Sequence, residues 1–272
     1  MANVPYHVQA ALDANRPFRI SDYVSEGYNI AKQNWGGFIG YFFLMGFISI
    51  AIQFVPFVGG LMGSIVSPAL IIGFAIVAHR IKHNISYTFN DFFKGFDHFK
   101  ELALQQLVIL CMIFVFLAPM LYILLIKMGI WDMIQNAPQG KIDEAESQIF
   151  IDTMKEAFTA ANIAIVAICS IAIMLIAAFS AFGKYFVVFY GMSFWDGLQA
   201  SGRLIAANFG YLILFVIVWN FIIGISILAC FIGTLFTTVA FYCSLYAVFA
   251  DLTDLSVYTT DGGNDDTKHF IG

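Results

Sequence analysis

Apolar residues along this chain gather into six long runs, 36–57, 58–78, 107–126, 158–183, 209–230 and 231–250, and no Asp, Glu, Lys, Arg or His interrupts any of them. Wound as a helix, about 20 such residues cross the roughly 30 Å hydrocarbon core of a bilayer. Residues 36–78 would reach about 65 Å as one straight helix, twice that thickness. The pattern therefore predicts a fold-back, with Pro56, Gly59 and Gly60 at its turn because proline cannot continue a helix and glycine admits turn dihedrals. Residues 209–250 pose the same problem, and their turn is expected near Gly233 and Thr234. The runs 107–126 and 158–183 make the middle hairpin, with a polar insert, 127–157, between the arms. The fold expected is an all-α integral membrane domain over 20–250, six transmembrane helices in three helical hairpins, flanked by an N-terminal tail, 1–19, and a flexible C-terminal tail, 251–272.

Before each hairpin the period changes to that of an amphipathic helix. Ile20, Tyr23, Val24, Gly27, Ala31 and Trp35 share one face, and so do Phe89, Phe92, Phe93, Phe96 and Phe99. The third set, Phe194, Trp195, Leu198, Ile205 and Phe209, is looser. Thr88-x-x-Asp91 and Ser193-x-x-Asp196 fit a capping box at the start of the second and third segments. Asn34-Trp35-Gly36 and Asn208-Phe209-Gly210 put an amide, an aromatic ring and a glycine where the first and third segments enter their spans. These likenesses suggest an internal threefold repeat.

Composition agrees with the membrane reading. The chain is 60% hydrophobic and 11% charged, too apolar for a water-soluble globule of 272 residues. A net charge of −5 offers no basic field for nucleic acid. Cys111, Cys169, Cys230 and Cys243 stand singly in separate runs, as small packing residues do. The N-terminal residues carry no cleavable signal peptide pattern, so the first span is expected to direct insertion. Cations then set the orientation: Arg16, Arg19, Lys32, Arg80, Lys82, Lys94, Lys100, Lys184, Arg203 and Lys268 fall on one side, and Lys127, Lys141 and Lys155 on the other. By the positive-inside rule both termini are cytoplasmic in a bacterial inner membrane, and the amphipathic segments form a collar on its inner surface.

Candidate chemistry is sparse. A charge inside a span would mark a functional site, and the runs hold none. Lys184, where the apolar sequence resumes as Tyr185–Met192, is expected at the interface, as a plain anchor or against an anionic lipid headgroup. His79 and His83 stand four residues apart on one helix face, with His98 in the next segment; a metal site would require such spacing, and interfacial histidines show it too. Pro68 and Pro119 are expected to kink their spans. The in-span polar residues Gln53, Ser64, Ser67, Asn162, Ser170, Ser180, Asn220, Thr237, Thr238 and Ser244 suit interhelical hydrogen bonds, and Gly36-x-x-x-Gly40 and Gly59-x-x-x-Gly63 suit close helix approach. No nucleophile, phosphate loop or catalytic pair stands out, and no cofactor is expected.

The run Ser21-Asp22-Tyr23-Val24-Ser25-Glu26-Gly27-Tyr28, with Asn34-Trp35-Gly36 and Phe92-Phe93-Lys94-Gly95-Phe96, resembles uncharacterised bacterial six-span membrane proteins, the YciC-like family and the membrane domain of some glycerophosphodiester phosphodiesterases. The resemblance covers roughly 18 to 250, implies the six-span architecture and supplies no catalytic residue. The function expected is that of a non-catalytic inner-membrane scaffold or accessory subunit, acting in a membrane assembly or in lipid organisation. Its partners would be the bilayer and another membrane protein or a second copy of the chain. A carrier or channel for a lipid or small apolar solute is the alternative, and a histidine-metal membrane enzyme a third.

Overall fold

In a computed structural model, residues 9–10, 17–56, 58–123, 125, 159–229 and 231–255 are described. They form helices α1 (Ile20–Gln33), α2 (Trp35–Gln53) and α3 (Gly59–Lys82), a 3-10 helix (Phe89–His98), then α4 (Phe99–Tyr122), α5 (Ala160–Phe179), α6 (Gly183–Tyr190), α7 (Phe194–Ala229) and α8 (Phe231–Leu252), with no β-strand among the described residues. Six helical stretches are long and apolar enough to cross a bilayer: Trp35–Gln53, Gly59–Lys82, Phe89–Tyr122, Ala160–Tyr190, Phe194–Leu228 and Gly233–Leu252. The protein is an all-α, six-span membrane protein. It divides into two compact units, one of residues 1–106 and 179–272 and the other of 107–178.

The larger unit separates packed from open helix along its length. In α3 the residues from Pro68 to Ile81 are almost continuously buried, and in α8 Val239 to Ala250 include Cys243, Tyr246, Ala247, Val248 and Phe249 with no more than traces of exposure. Helix α6 buries Tyr185, Phe186, Val187 and Val188. Elsewhere Phe43, Phe47, Leu61, Ile217, Phe221 and Leu228 point outward, as side chains that meet lipid tails do. Three segments pack on the three buried ones: α1 on α8, the 3-10 helix on α3, and the start of α7 on α6. In each case a lead-in segment covers the outgoing helix before it in sequence, and α1 closes the circle on the last.

Small residues make these contacts possible. A Cβ on Gly27 would strike Ser244 of α8, one on Gly73 the carbonyl oxygen of Phe92, and one on Gly95 the carbonyl oxygen of Ala69. Gly197 approaches the carbonyl of Gly183 and the Val187 side chain. Of the glycines expected at close approaches, Gly59 makes one, to the Ile52 carbonyl across the first hairpin, and the other three make none within the chain. Gly36 has nothing within 4 Å of a built Cβ, and Gly40 and Gly63 meet a single side chain each, at 4.0 and 3.8 Å. Helix α1 consequently runs antiparallel along α8, with Tyr23 against Asp251 and Gly27 against Ser244, and Trp35 at the start of α2 continues the line against Phe236. Its expected apolar face divides in two: Tyr23, Gly27 and Ala31 are buried, together with Ile30, which the expected face did not include, while Ile20, Val24 and Trp35 are partly exposed.

The second lead-in is a 3-10 helix, where amphipathic α spacing was expected. At three residues per turn, side chains at i and i+3 eclipse, so Phe92 and Gly95 fall on the buried face and Phe93, Phe96 and Phe99 stack in succession, at 6.5 and 6.0 Å between ring centroids. The caps are as the spacing predicts. The Asp91 carboxylate accepts from the Thr88 N–H at 2.6 Å and from its hydroxyl at 3.2 Å, and the Ser193 hydroxyl accepts from the Asp196 N–H at 3.2 Å. In the third lead-in the buried face is Gly197, Ala200, Ser201, Leu204 and Ile205, with Trp195 half exposed. Asn34 and Asn208 leave helical dihedrals at φ −149° and −120°, so each breaks the chain between lead-in and span.

Three turns complete the correction of boundaries. Helix α2 ends at Gln53 and α3 starts at Gly59, whose Cβ would meet the Ile52 carbonyl, so this hairpin is as tight as its Pro and Gly content predicts. Helix α7 runs to Ala229 and α8 from Phe231, so Gly233 and Thr234, where the turn was expected, are helical; a Cβ on Gly233 would come within 3.4 Å of the Ser226 carbonyl of α7. The expected fourth span, 158–183, ends at Phe179, and Gly183–Tyr190 is a helix of its own, closed by Gly191 at φ +60°. Ser201 holds that break: its hydroxyl donates to the Phe179 carbonyl at 2.7 Å and accepts from the Phe182 N–H at 3.1 Å. A fully buried hydroxyl thus satisfies one carbonyl and one N–H of those that the interruption frees.

The smaller unit, 107–178, takes α4 from Leu107 and α5 up to Ala178. It carries outward apolar side chains such as Phe114, Val115, Ile168, Ile171 and Met174, buries Ile109 and Cys169, and leaves Cys111 exposed. The Ser170 hydroxyl approaches the Met120 thioether sulfur at 3.7 Å. Cys230, the insert 127–157 with its cations and acidic residues, and the tail beyond Leu255 lie outside the described residues.

Candidate functional site

Polar side chains of the larger unit converge where its helices are buried. The Tyr23 hydroxyl donates to Asp251 at 2.6 Å, joining α1 to α8, and Lys82 pairs with Glu26 at 2.6 Å, joining α3 to α1. Arg80 and Asp91, both more than nine-tenths buried, meet at 3.6 Å and tie α3 to the 3-10 helix. Arg80 also donates to the Ser86 carbonyl at 2.9 Å, and Lys94 reaches Asp91 at 3.3 Å. His79 Nδ1 lies 2.8 Å from the Tyr246 hydroxyl, linking α3 to α8. Glu101 of α4 accepts from the Phe194 N–H at 3.0 Å, and the Tyr190 hydroxyl donates to the Thr253 carbonyl at 2.9 Å. Apart from the Lys94–Asp91 pair, which lies within the 3-10 helix, and the Arg80–Ser86 bond to the loop after α3, these ties join different segments of the circle, so the layer acts as a clamp.

The clamp makes one direct prediction. Burial, and then the neighbouring Asp251 carboxylate, hold the Tyr23 phenol well above its usual value of 10.0. Folding therefore favours the neutral hydroxyl, and the stability it contributes is complete below pH 10.0 and is lost as pH rises above it. Tyr23→Phe is expected to lower stability by about 1.5 kcal/mol at neutral pH and to flatten the alkaline limb of the stability profile. Chemical unfolding in micelles, followed by circular dichroism from pH 7 to 11, checks both; an unchanged alkaline limb would remove Tyr23 from the clamp.

The sequence-predicted candidates are brought together only in part. His79 and His83 stack with ring centroids 4.5 Å apart, tilted by 47°. Burial, and then the adjacent Lys82 charge, push the His83 imidazole below its ordinary value. His98 is half-buried at the end of the 3-10 helix, and no group of three or more His, Cys, Asp or Glu among the described residues could hold a metal ion. Lys184 sits at the start of α6, partly exposed, with its ammonium 5.8 Å from the Tyr185 ring centroid.

In-span polar groups mostly bond to their own helices. Ser64, Asn220 and Thr237 donate to the carbonyls of Gly60, Val216 and Gly233 four residues back, at 2.8, 2.8 and 3.2 Å. The interhelical role expected for them is thus replaced by back-bonding, which satisfies a hydroxyl or amide without any partner helix. At Pro68, which cannot donate to Ser64, the Ser67 hydroxyl donates to the Ser64 carbonyl at 3.1 Å and covers the orphan. The kink is sealed.

Two recesses flank α1. A polar groove of about 530 Å³ lies between α1 and the end of α3, lined by Asp22, Glu26, Asn29 and Lys82 among others. An apolar cavity of about 680 Å³ lies on the other flank, against α7 and α8. Sequence reasoning missed Trp219 in its wall, the Arg80–Asp91 pair and the Tyr23–Asp251 pair. For the last, 228 positions separate the partners, and no local signal connects them. Compared with protein-family models, curated proteins and solved structures, the chain matches none.

Proposed function

We propose that this chain is a non-catalytic scaffold or accessory subunit of a bacterial inner membrane, organising a membrane assembly or the lipid around it. The observation that carries the reading is the clamp: buried and part-buried charges and hydroxyls join α1, α3, the 3-10 helix and α8 to one another. Such a layer suits a rigid platform. The cations Arg80, Lys82 and Lys94 belong to it, which supports cytoplasmic placement of this layer and of both termini by the positive-inside rule. The circular order of lead-in on preceding outgoing helix supports an ancestral threefold repeat, and the six-span architecture suits the YciC-like resemblance.

The alternative reading, a carrier for a lipid or apolar solute, draws on the cavity between α1, α7 and α8. A metal enzyme would need a ligand beyond His79 and His83. Extraction of the full chain from its native membrane in a mild detergent, with mass spectrometry of what co-purifies, is expected to recover a membrane protein in stoichiometric amount. Recovery of a lone monomer from several mild detergents would overturn the scaffold reading.

A further inference from the structure

Among the described residues Lys184 is a cation without an anion. Of the other described lysines and arginines, Arg19, Arg80, Lys82 and Lys94 pair with carboxylates, and Lys32, Lys100 and Arg203 are exposed. Lys184 alone is both partly covered and unpaired. Its ammonium stands 5.8 Å from the Tyr185 ring centroid. The nitrogen keeps accessible surface, unlike the unpaired atoms sealed in the core at Gln105, Trp219 and Ser244. The residues that follow it are apolar: α6 buries Tyr185, Phe186, Val187 and Val188, and Ala160–Tyr190 is one of the stretches able to cross the bilayer. Tyr190 ties the far end of α6 to the Thr253 carbonyl in the clamp, about 9 Å along the helix from Lys184. The first turn of a helix gives a cation no support, because the dipole is positive there. A charge kept at membrane depth is costly unless its head reaches an anion or water.

We infer that Lys184 binds the phosphodiester of an anionic glycerophospholipid, in the leaflet that meets the clamp. A lysine inside a span reaches toward the headgroup level, and there the phosphodiester is the anion at highest local concentration. Water serves a cation as exposed as Lys100. Partial burial takes hydration from Lys184, and an anion at the ammonium restores it. The inference names a lipid partner for the organising role proposed above, and it rests on that reading only for membrane placement.

Native mass spectrometry of the full chain tests this, in a mild detergent with equal amounts of phosphatidylglycerol and phosphatidylcholine of matched acyl chains. Phosphatidylglycerol is expected to bind in preference to phosphatidylcholine, whose own cation offsets its phosphodiester. Lys184→Gln should lower phosphatidylglycerol occupancy about fivefold, the worth of one cation at an anionic surface. Lys184→Arg should retain it, and Lys32→Gln and Lys100→Gln, which remove exposed cations, should leave it nearly unchanged. Lys184→Met is the second variant should Lys184→Gln misfold, and circular dichroism reports the fold of each. Equal binding of the two lipids, or a preference that survives loss of the Lys184 charge, would overturn the inference. Displacement of the lipid by soluble glycerophosphoglycerol at the same concentration would also overturn it, by assigning the site to a free phosphodiester, and so would a carbodiimide crosslink from Lys184 to a carboxylate of a co-purifying protein. A lipid preference that depends on Lys184, in a protein that co-purifies with no partner, would overturn the scaffold reading and leave this one standing.

Discussion

Asp91→Ala is expected to destabilise the protein by about 3 kcal/mol, the low end of the cost of leaving a buried charge without its partner. Asp91 accepts from Thr88 at the start of the 3-10 helix, faces Arg80 at 3.6 Å and Lys94 at 3.3 Å, and is 5% exposed. Alanine leaves the Arg80 guanidinium, itself 8% exposed, with the Ser86 carbonyl alone among these contacts. Its Nη2 already lacks a partner among the described residues, so the site has no spare acceptor to offer. Three variants apportion the loss. Asp91→Asn keeps an acceptor for the Thr88 N–H and should recover the capping share, about 1 kcal/mol. Arg80→Met alone removes the desolvated cation, and the pair Arg80→Met with Asp91→Ala should be less unstable than the sum of the single changes, because the two residues form one unit. Unfolding of detergent-solubilised protein, followed by circular dichroism, measures all four. A loss under about 1 kcal/mol for Asp91→Ala would mean that the pair is screened as a surface pair is, and that the clamp is not buried.

The architecture was legible wherever one segment of chain decides its own structure. Six uncharged runs gave six spans because hydrocarbon thickness is a local test of length and polarity. Thr88 with Asp91, and Ser193 with Asp196, were readable as caps because both partners lie within one turn. Asn34 and Asn208 were found as a repeated sequence feature, and in each the helix breaks. What stayed hidden depends on residues far apart. The break after Phe179 needs Ser201, on a later helix, to take the freed backbone groups. The aromatic lead-in reads equally as an α or a 3-10 face, since Phe at i, i+3 and i+4 suits both, and packing of Gly95 on the Ala69 carbonyl belongs to tertiary structure. The candidate histidines were placed on one face correctly, but whether a third ligand joins them is again a tertiary matter.

The glycines offer the sharpest contrast, because one chemical change should have opposite effects at different positions. Gly46→Ala and Gly224→Ala add a methyl group where nothing lies within 4 Å, inside helices α2 and α7. Alanine restricts the unfolded backbone and favours the helix, so each should stabilise the protein by about 0.5–1 kcal/mol. Gly27→Ala and Gly73→Ala should each destabilise it by about 3 kcal/mol, the upper range of overpacking. At Gly27 the new Cβ would meet the Ser244 hydroxyl and also its Cα at 2.7 Å, so rotating the side chain away gives no relief and α1 must lift from α8. At Gly73 it would meet the Phe92 carbonyl and, at 2.8 Å, the Tyr41 hydroxyl that donates to Leu70, so the 3-10 helix must move from α3. Because Gly73 and Gly95 shape the same contact, Gly73→Ala with Gly95→Ala should cost less than the two single losses added, whereas Gly27→Ala with Gly73→Ala should add nearly in full. Those sums separate two interfaces of the circle from one another. Unfolding midpoints of the single and double variants in micelles give the answer, and a Gly27→Ala protein as stable as the parent would show that α1 does not lie along α8.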